Sequence, residues 1–218
     1  MRRFWVGCGL VVALLLFGPD ALYGGLITLT NSTPGYFDNS SGNRTVTVTG
    51  LEPGYGTGAI LDVNMSITFC KAHDADGPCV STDYAFPNEI RFRLTSPGAV
   101  AVTLIDAASF NYDAFPRPFD STITFDQAAA QVVNINPALV PSGTFRPTGP
   151  GSLNDFNGAS ALGTWTLFIE DTTSADGLRF RSLELNVTTG GDAVIPEPAG
   201  WLLTGAGMLG FVLYRRRR

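Results

Sequence analysis

The sequence GTWTLFI at residues 163–169 decides the fold class, because apolar and polar side chains alternate along it. In an extended chain Trp165, Leu167 and Ile169 point to one side, and the residues between them point to the other. The pattern predicts a β-strand with one buried face. We therefore expect Trp165 to lie in the core rather than on a sugar-binding surface.

The same two-residue period recurs along the middle of the chain, and helical periodicity is nearly absent there. The further predicted strands occupy residues 44–49, 60–69, 89–95, 100–105, 121–125 and 183–187. The turn sequence Ser96-Pro97-Gly98 joins two of them, which are expected to form a hairpin. About eight short strands separated by Gly, Pro, Asn and Asp predict an all-β fold, an antiparallel jelly-roll-like β-sandwich.

Two segments depart from the strand pattern. Residues 126–131 are the one plausible helical turn, and the Pro- and Gly-rich residues 137–151 are expected to form a loop that crosses between the sheets. Neither segment adds a second core, so one domain is the expected count.

Both ends of the chain have the composition of processing segments. Arg2 and Arg3 precede an apolar run over residues 4–17, which is typical of a secretory signal and short for a membrane span. Small residues near position 24 offer a cleavage point. We therefore divide the chain into a signal peptide (1–24), a sandwich domain (25–190) and a C-terminal sorting segment (191–218).

The charge balance of the middle excludes one class of partner. Residues 25–198 carry 8 Arg and Lys against 18 Asp and Glu, a formal charge of −10, and Lys71 is the only lysine in the chain. Such a domain repels nucleic acid and anionic lipid. We expect no nucleic-acid partner, and contact with the membrane only through the C-terminal segment before processing.

Cys70 and Cys79 are the only cysteines left once the signal peptide is removed. In an exported chain they are expected to form a disulfide, with two unpaired thiols as the alternative.

The C-terminal segment combines a Pro-Glu-Pro triplet, an apolar run over residues 199–214 and a terminal arginine cluster. The residues of the triplet and the cluster are Pro196, Glu197, Pro198, Arg215, Arg216, Arg217 and Arg218. An apolar run of this kind stalls export in the inner membrane, and the arginines hold its end in the cytoplasm. A permanent single-span anchor is the alternative interpretation.

This order of features resembles the PEP-CTERM sorting signal, which exosortases recognise in Gram-negative bacteria. The resemblance implies a transient inner-membrane anchor, processing by an exosortase as partner, and delivery to the cell surface or extracellular matrix. Because that system accompanies exopolysaccharide production, exopolysaccharide or other surface proteins are the further partners it implies.

Four segments of the middle carry a second likeness: EIRFRLTSPG at 89–98 with VTL at 102–104; TITFDQAA at 122–129; FNG at 156–158 with GTWTL at 163–167; and ED at 170–171 with DGL at 176–178 and LEL at 183–185. They resemble the P domain, or P/Homo B domain, that follows the catalytic domain of subtilisin-like proprotein convertases. The resemblance implies a jelly roll. The tryptophan that the family usually has in its last strand is missing, and Phe180 and Arg181 occupy positions near it. Residues 70–79 look like an insertion relative to the family pattern.

Catalytic residues are not predicted. His73 is the only histidine, so a Ser-His-Asp site would have to be built around it. The sequence GASAL at 158–162 lacks the final glycine of a nucleophile elbow.

Two acidic clusters are candidate calcium ligands. Asp74 and Asp76 precede the flexible Gly77, and Glu170, Asp171 and Asp176 form the second cluster, in which the two aspartates are the candidate ligands. Carboxylates in this spacing suit Ca²⁺, while solvated acidic loops are the alternative.

The sequence as a whole predicts an exported, exosortase-processed, non-catalytic surface or matrix protein. The alternative is an accessory P/Homo B domain linked to subtilisin-like serine endopeptidase activity.

Overall fold

The computed structural model describes residues 25–51, 58–72, 79, 85–107, 109, 119–133 and 142–190. Within them the chain forms ten strands, two short 3-10 helices at Pro87–Glu89 and Leu153–Phe156, and no α-helix. The strands are β1 (Gly25–Asn31), β2 (Gly35–Phe37), β3 (Ser40–Val48), β4 (Ile60–Ala72), β5 (Ile90–Thr95), β6 (Ala101–Ile105), β7 (Phe119–Phe125), β8 (Gly143–Phe145), β9 (Gly163–Asp171) and β10 (Gly177–Thr189). The all-β prediction is confirmed.

The strands form two sheets. One sheet has six strands in the order β1-β10-β4-β7-β8, with β2 also paired to β10. The other has four strands in the order β3-β9-β5-β6. The two sheets pack over one hydrophobic core, so the predicted sandwich is confirmed.

The core is made by alternate residues of facing strands, as the two-residue period requires. The inward rows of the two central strands β4 and β9 are at most 1% exposed: Val63, Met65, Ile67, Phe69, Trp165, Leu167 and Ile169. A register shift in β10 lets both Phe180 and Leu183 face the core, although they are three residues apart.

Trp165 lies at the centre of this core, as its sequence pattern predicts. Its ring contacts the ring of Phe156 edge-on, with 5.2 Å between centroids. Its indole Nε1 donates to the carbonyl oxygen of Ala161 at 3.1 Å, so the polar atom of the buried ring is satisfied.

The predicted hairpin is also confirmed, because β5 and β6 pair as antiparallel neighbours. Its turn is closed by hydrogen bonds from the Ser96 N–H to the Val100 carbonyl at 2.9 Å and from the Ala99 N–H to the Ser96 carbonyl at 3.0 Å. Ala99 rather than Gly98 takes the positive φ, at 63°.

Three details differ from the sequence prediction. Residues 126–131 form a turn instead of a helical turn, because the Asp126 side chain accepts a bond from the Ala128 N–H at 2.7 Å. The expected crossing loop contains β8, which pairs with β7 in parallel, so the sheets are not antiparallel throughout. The described strands number ten instead of about eight, since β2 and β8 have only three residues each.

The described part of the chain holds no helix with the length and apolar character needed to cross a membrane. The predicted signal peptide and sorting segment lie outside the described residues.

Replacing Trp165 by alanine tests whether this side chain anchors the core. The change removes a fully buried ring and the bond to Ala161, so the free energy of unfolding should fall by about 3–5 kcal/mol. Urea unfolding of residues 25–190, followed by circular dichroism, measures the loss. The control is Leu162→Ala, at a side chain that is 42% exposed, which should change stability by about 0.5 kcal/mol or less. A loss no larger than that of the control would contradict the central position of Trp165.

Candidate functional site

Lys71 lies at the end of β4 with its side chain fully buried. It follows Val63, Met65, Ile67 and Phe69 in the alternation of the strand, so it belongs to the row that faces the core. A buried ammonium group is costly unless it is paired and hydrogen-bonded. Lys71 therefore requires hydrogen-bonding and charged partners at this end of the sandwich.

Three carboxylates and one carbonyl surround the ammonium group. Lys71 Nζ is 2.7 Å from Asp171 Oδ2, 2.8 Å from Glu89 Oε2 and 3.2 Å from Asp176 Oδ2. It also donates to the backbone carbonyl of Asp176 at 2.5 Å. We call these four residues, Lys71, Glu89, Asp171 and Asp176, the lysine cluster.

The members of the lysine cluster come from both sheets. Lys71 is the penultimate residue of β4 in the six-stranded sheet, whereas Asp171 is the last residue of β9 in the four-stranded sheet. Glu89 lies in the 3-10 helix before β5, and Asp176 lies directly before β10. The Phe86 N–H donates to Asp176 Oδ2 at 2.6 Å, which fixes the chain that enters β5. The cluster therefore joins the two sheets at one end of the sandwich.

Burial changes the protonation of the two aspartates. It raises the pKa of Asp171 from 3.8 to about 6 and that of Asp176 from 3.8 to about 7, against the attraction of the Lys71 ammonium. A hydrogen bond with Glu89 adds to the rise for Asp176. For Lys71 burial acts to lower the pKa, but the attraction of Asp171 and the hydrogen bonds raise it above 10.5. The ammonium form of Lys71 is therefore retained around neutral pH.

A disulfide lies next to the lysine cluster. Cys70 and Cys79 are bonded, with their Cα atoms 6.2 Å apart, which confirms the predicted pairing. Cys70 directly precedes Lys71 in β4, so the bond holds residue 79 beside the cluster.

The structure brings together only part of the predicted site residues. Asp171 and Asp176 both contact Lys71, and no group of three or more His, Cys, Asp or Glu residues in the described ranges is arranged to hold a metal ion. Asp74, Asp76 and His73 lie outside the described residues, as do all seven residues of the predicted sorting signal. The calcium site and the sorting signal stay predictions.

The sequence reasoning missed Lys71 and Glu89 as partners of the two aspartates. The available signal was the strand alternation: Lys71 is in phase with Phe69, and Asp171 is in phase with Ile169. Two charged residues of opposite sign that continue two buried rows indicate a buried ion pair.

The outer face of the six-stranded sheet presents a second feature, an array of small polar side chains. Across β7 and β4, Ser66 and Thr124 lie 2.7 Å apart at their hydroxyls, and Thr68 and Thr122 lie 2.9 Å apart. Across β1 and β10, the Thr28 hydroxyl donates to Asn186 at 2.6 Å. We call the seven residues Thr28, Asn64, Ser66, Thr68, Thr122, Thr124 and Asn186 the polar face.

The raised pKa of Asp176 predicts how stability depends on pH. A carboxyl group whose pKa is higher in the folded state binds its proton more tightly there. The stabilisation that this tighter proton binding gives the folded state is fully present below pH 3.8, the pKa in the unfolded chain. It is lost as the pH rises through about 7, the pKa in the folded protein. The free energy of unfolding should therefore fall between pH 4 and pH 7 by at least about 1.4 kcal/mol, the worth of one pKa unit.

Asp176→Asn should remove much of this fall, since an amide does not titrate and can still accept the Phe86 N–H. Denaturant unfolding at several pH values measures the effect. Asp120→Asn is the matched control, because Asp120 is exposed and pairs with Arg181. An equal pH dependence in Asp176→Asn and the wild type would contradict the assignment.

Comparison with known proteins adds a distant likeness only. No protein-family profile matches the chain, and no curated protein matches it. The serine protease of Aeromonas sobria matches with a TM-score of 0.34 and 13% identity, over 76% of this chain and 27% of the protease. The same protease (ASP) in complex with its chaperone (ORF2) matches with a TM-score of 0.36 and 14% identity, over 78% of this chain and 28% of the matched chain. Dimeric latent PorU from Porphyromonas gingivalis matches with a TM-score of 0.32 and 8% identity, over 78% of this chain and 13% of PorU. The chain thus spans less than a third of the length of these proteins.

Proposed function

We propose that this chain is an exported, exosortase-processed, non-catalytic protein of the cell surface or extracellular matrix, built on a P-domain-like jelly roll. The observation that carries the proposal is the C-terminal order of Pro-Glu-Pro triplet, apolar run and four arginines. Because the proline ring is excluded from a regular helix interior, we expect an extended chain at positions 196 and 198. An extended backbone next to a membrane segment is a shape that a protease can bind.

The disulfide supports the exported location. Bonds such as Cys70–Cys79 persist in oxidising compartments and are rare where thiols are kept reduced.

Burial of the lysine cluster supports a non-catalytic role. The side chains of Lys71 and Asp171 are 0% exposed and that of Asp176 is 1% exposed, so a dissolved substrate has no access to them. A catalytic group has to reach the reacting atoms. The cluster therefore serves the fold.

The polar face supports exopolysaccharide as the partner. Hydroxyl and amide groups both donate and accept hydrogen bonds, which matches the hydroxyl groups of a sugar chain. The paired hydroxyls of Ser66 with Thr124 and of Thr68 with Thr122 lie on neighbouring strands, so they form one continuous surface.

Removing hydroxyls from this face should weaken polysaccharide binding. In a Thr68→Val and Thr122→Val double variant the strands keep β-branched side chains but lose the hydroxyl pair. We expect at least about fivefold weaker binding to exopolysaccharide purified from the producing cells, since each lost hydrogen bond contributes roughly 1 kcal/mol. Sedimentation with the polysaccharide measures it.

The control is the double variant Thr47→Val and Thr164→Val, which removes a hydroxyl pair 3.1 Å apart on the four-stranded sheet. An equal loss in both double variants would contradict the assignment to the polar face.

Alanine at Pro196, Glu197 and Pro198 together should block processing. We expect the full-length protein to stay in the inner membrane, because the extended site is lost. Intact-mass spectrometry of the surface protein gives the reading. A wild-type surface protein whose mass includes Trp201 and the four terminal arginines would show an ordinary anchor and would overturn the sorting proposal.

A second candidate function is an accessory role in serine-type proteolysis. The segments that resemble the P domain favour it, and they include the β5–β6 hairpin and the strand β9. A protease assay on residues 25–190 separates the two. Peptide hydrolysis that disappears in His73→Ala would overturn the non-catalytic proposal.

A further inference from the structure

We propose that Lys71 and Asp171 form an intramolecular isopeptide bond, which covalently joins β4 of one sheet to β9 of the other, with Glu89 as the catalytic residue. This inference does not depend on the proposed sorting or on the polysaccharide partner.

The geometry places the reacting groups together. Lys71 Nζ is 2.7 Å from Asp171 Oδ2, and both side chains are completely buried. Fixing two reactants in contact replaces a bimolecular encounter by an intramolecular step, which removes much of the entropic part of the barrier. The two strands hold this pair in position before any reaction occurs.

The reaction balances without any added reagent. The Lys71 ammonium gives one proton to Asp171, which leaves an amine facing a carboxylic acid. The nitrogen then forms a bond to Asp171 Cγ. A second nitrogen proton passes through Glu89, which is 2.8 Å from Nζ, to the oxygen that leaves. The Cγ–Oδ2 bond breaks and one water molecule departs, so an ammonium and a carboxylate become an amide and water.

The surroundings of Asp171 suit it as the acyl group. Its Oδ2 faces Lys71 Nζ and is the oxygen that leaves, while its Oδ1 accepts the Thr173 N–H at 3.3 Å. That N–H stabilises negative charge on Oδ1 as the tetrahedral intermediate forms. Glu89 and Asp176 are less suited to this role. Glu89 is 12% exposed, whereas Asp171 is fully buried, and Asp176 Oδ2 is farther from Nζ, at 3.2 Å.

Burial also favours the product. A buried ion pair carries a desolvation penalty of several kcal/mol for each ion, and amide formation removes both charges from the core. The water molecule that leaves enters the solvent. Glu89 returns to its starting state, and the Glu89 and Asp176 pair keeps its negative charge but loses the Lys71 cation as its counter-charge.

The single lysine of the chain makes the test direct. The full wild-type chain, recovered after export, is reduced, denatured and treated with an amine-reactive label. Tryptic peptides are then analysed by mass spectrometry. We expect no label on Lys71, no cleavage after it, and one branched peptide that contains Lys71 and Asp171 and is one water molecule lighter than the sum of its parts.

Asp171→Ala is the reference for labelling, because it leaves the amine without its acyl partner. In this variant the amine-reactive reagent should label Lys71 in every chain, whether or not the variant folds. Lys71→Arg should give no branched peptide. A mass lower by one water molecule that is still found in Lys71→Arg would come from a reaction elsewhere in the chain. Labelling of wild-type Lys71 to the same extent as in Asp171→Ala would overturn the bond.

Glu89→Gln tests the catalytic role. The glutamine cannot relay a proton, so cross-link formation should slow by about 100-fold or more, and the labelled fraction of Lys71 in freshly made protein should rise. Glu184→Gln, at an exposed glutamate on β10, is the matched control. Cross-linking of Glu89→Gln at the wild-type rate would overturn the assignment of Glu89.

Discussion

The buried ammonium group of Lys71 is the constraint on which this end of the structure depends. Moving such an ion out of water costs several kcal/mol, so the fold is stable only if carboxylates are brought to it. Asp171, Glu89 and Asp176 meet this requirement, and they come from the end of β9, the entry to β5 and the entry to β10. One charge therefore fixes where several strands begin and end. Apolar packing fixes the middle of the sandwich and charge fixes its end.

A second cation helps to close the same region from the side. The Arg44 guanidinium on β3 donates to the carbonyl oxygens of Thr33 at 2.8 Å and Pro34 at 2.6 Å. It also lies over the rings of Phe37 and Phe180, at 5.7 Å and 5.4 Å from their centroids. Because Phe180 belongs to the six-stranded sheet, Arg44 links the sheets through an aromatic face. Both cations therefore contact groups of the sheet opposite their own.

The central strands could be predicted from the sequence because their side chains alternate without interruption, as around Trp165 in β9. Pairing partners and the parallel β7–β8 contact could not, since register depends on residues far apart in the chain. Only part of the lysine cluster could be predicted from the sequence. Asp171 and Asp176 were recognised as an acidic pair, but the partner that explains them comes from β4, and a charged residue at a predicted strand end is ordinarily taken as solvated.

The course of β10 sets the distance between the lysine cluster and the start of β1. The strand runs from Gly177 beside the lysine cluster to Thr189, where Gly25 of β1 pairs with it. Thirteen residues of extended chain span about 40 Å, so the disulfide end and the C-terminal end of the sandwich are opposite poles. Gly25, the first residue of β1, lies at the same pole as Thr189. The disulfide and the lysine cluster therefore stabilise the pole of the sandwich that lies far from Gly25 and Thr189.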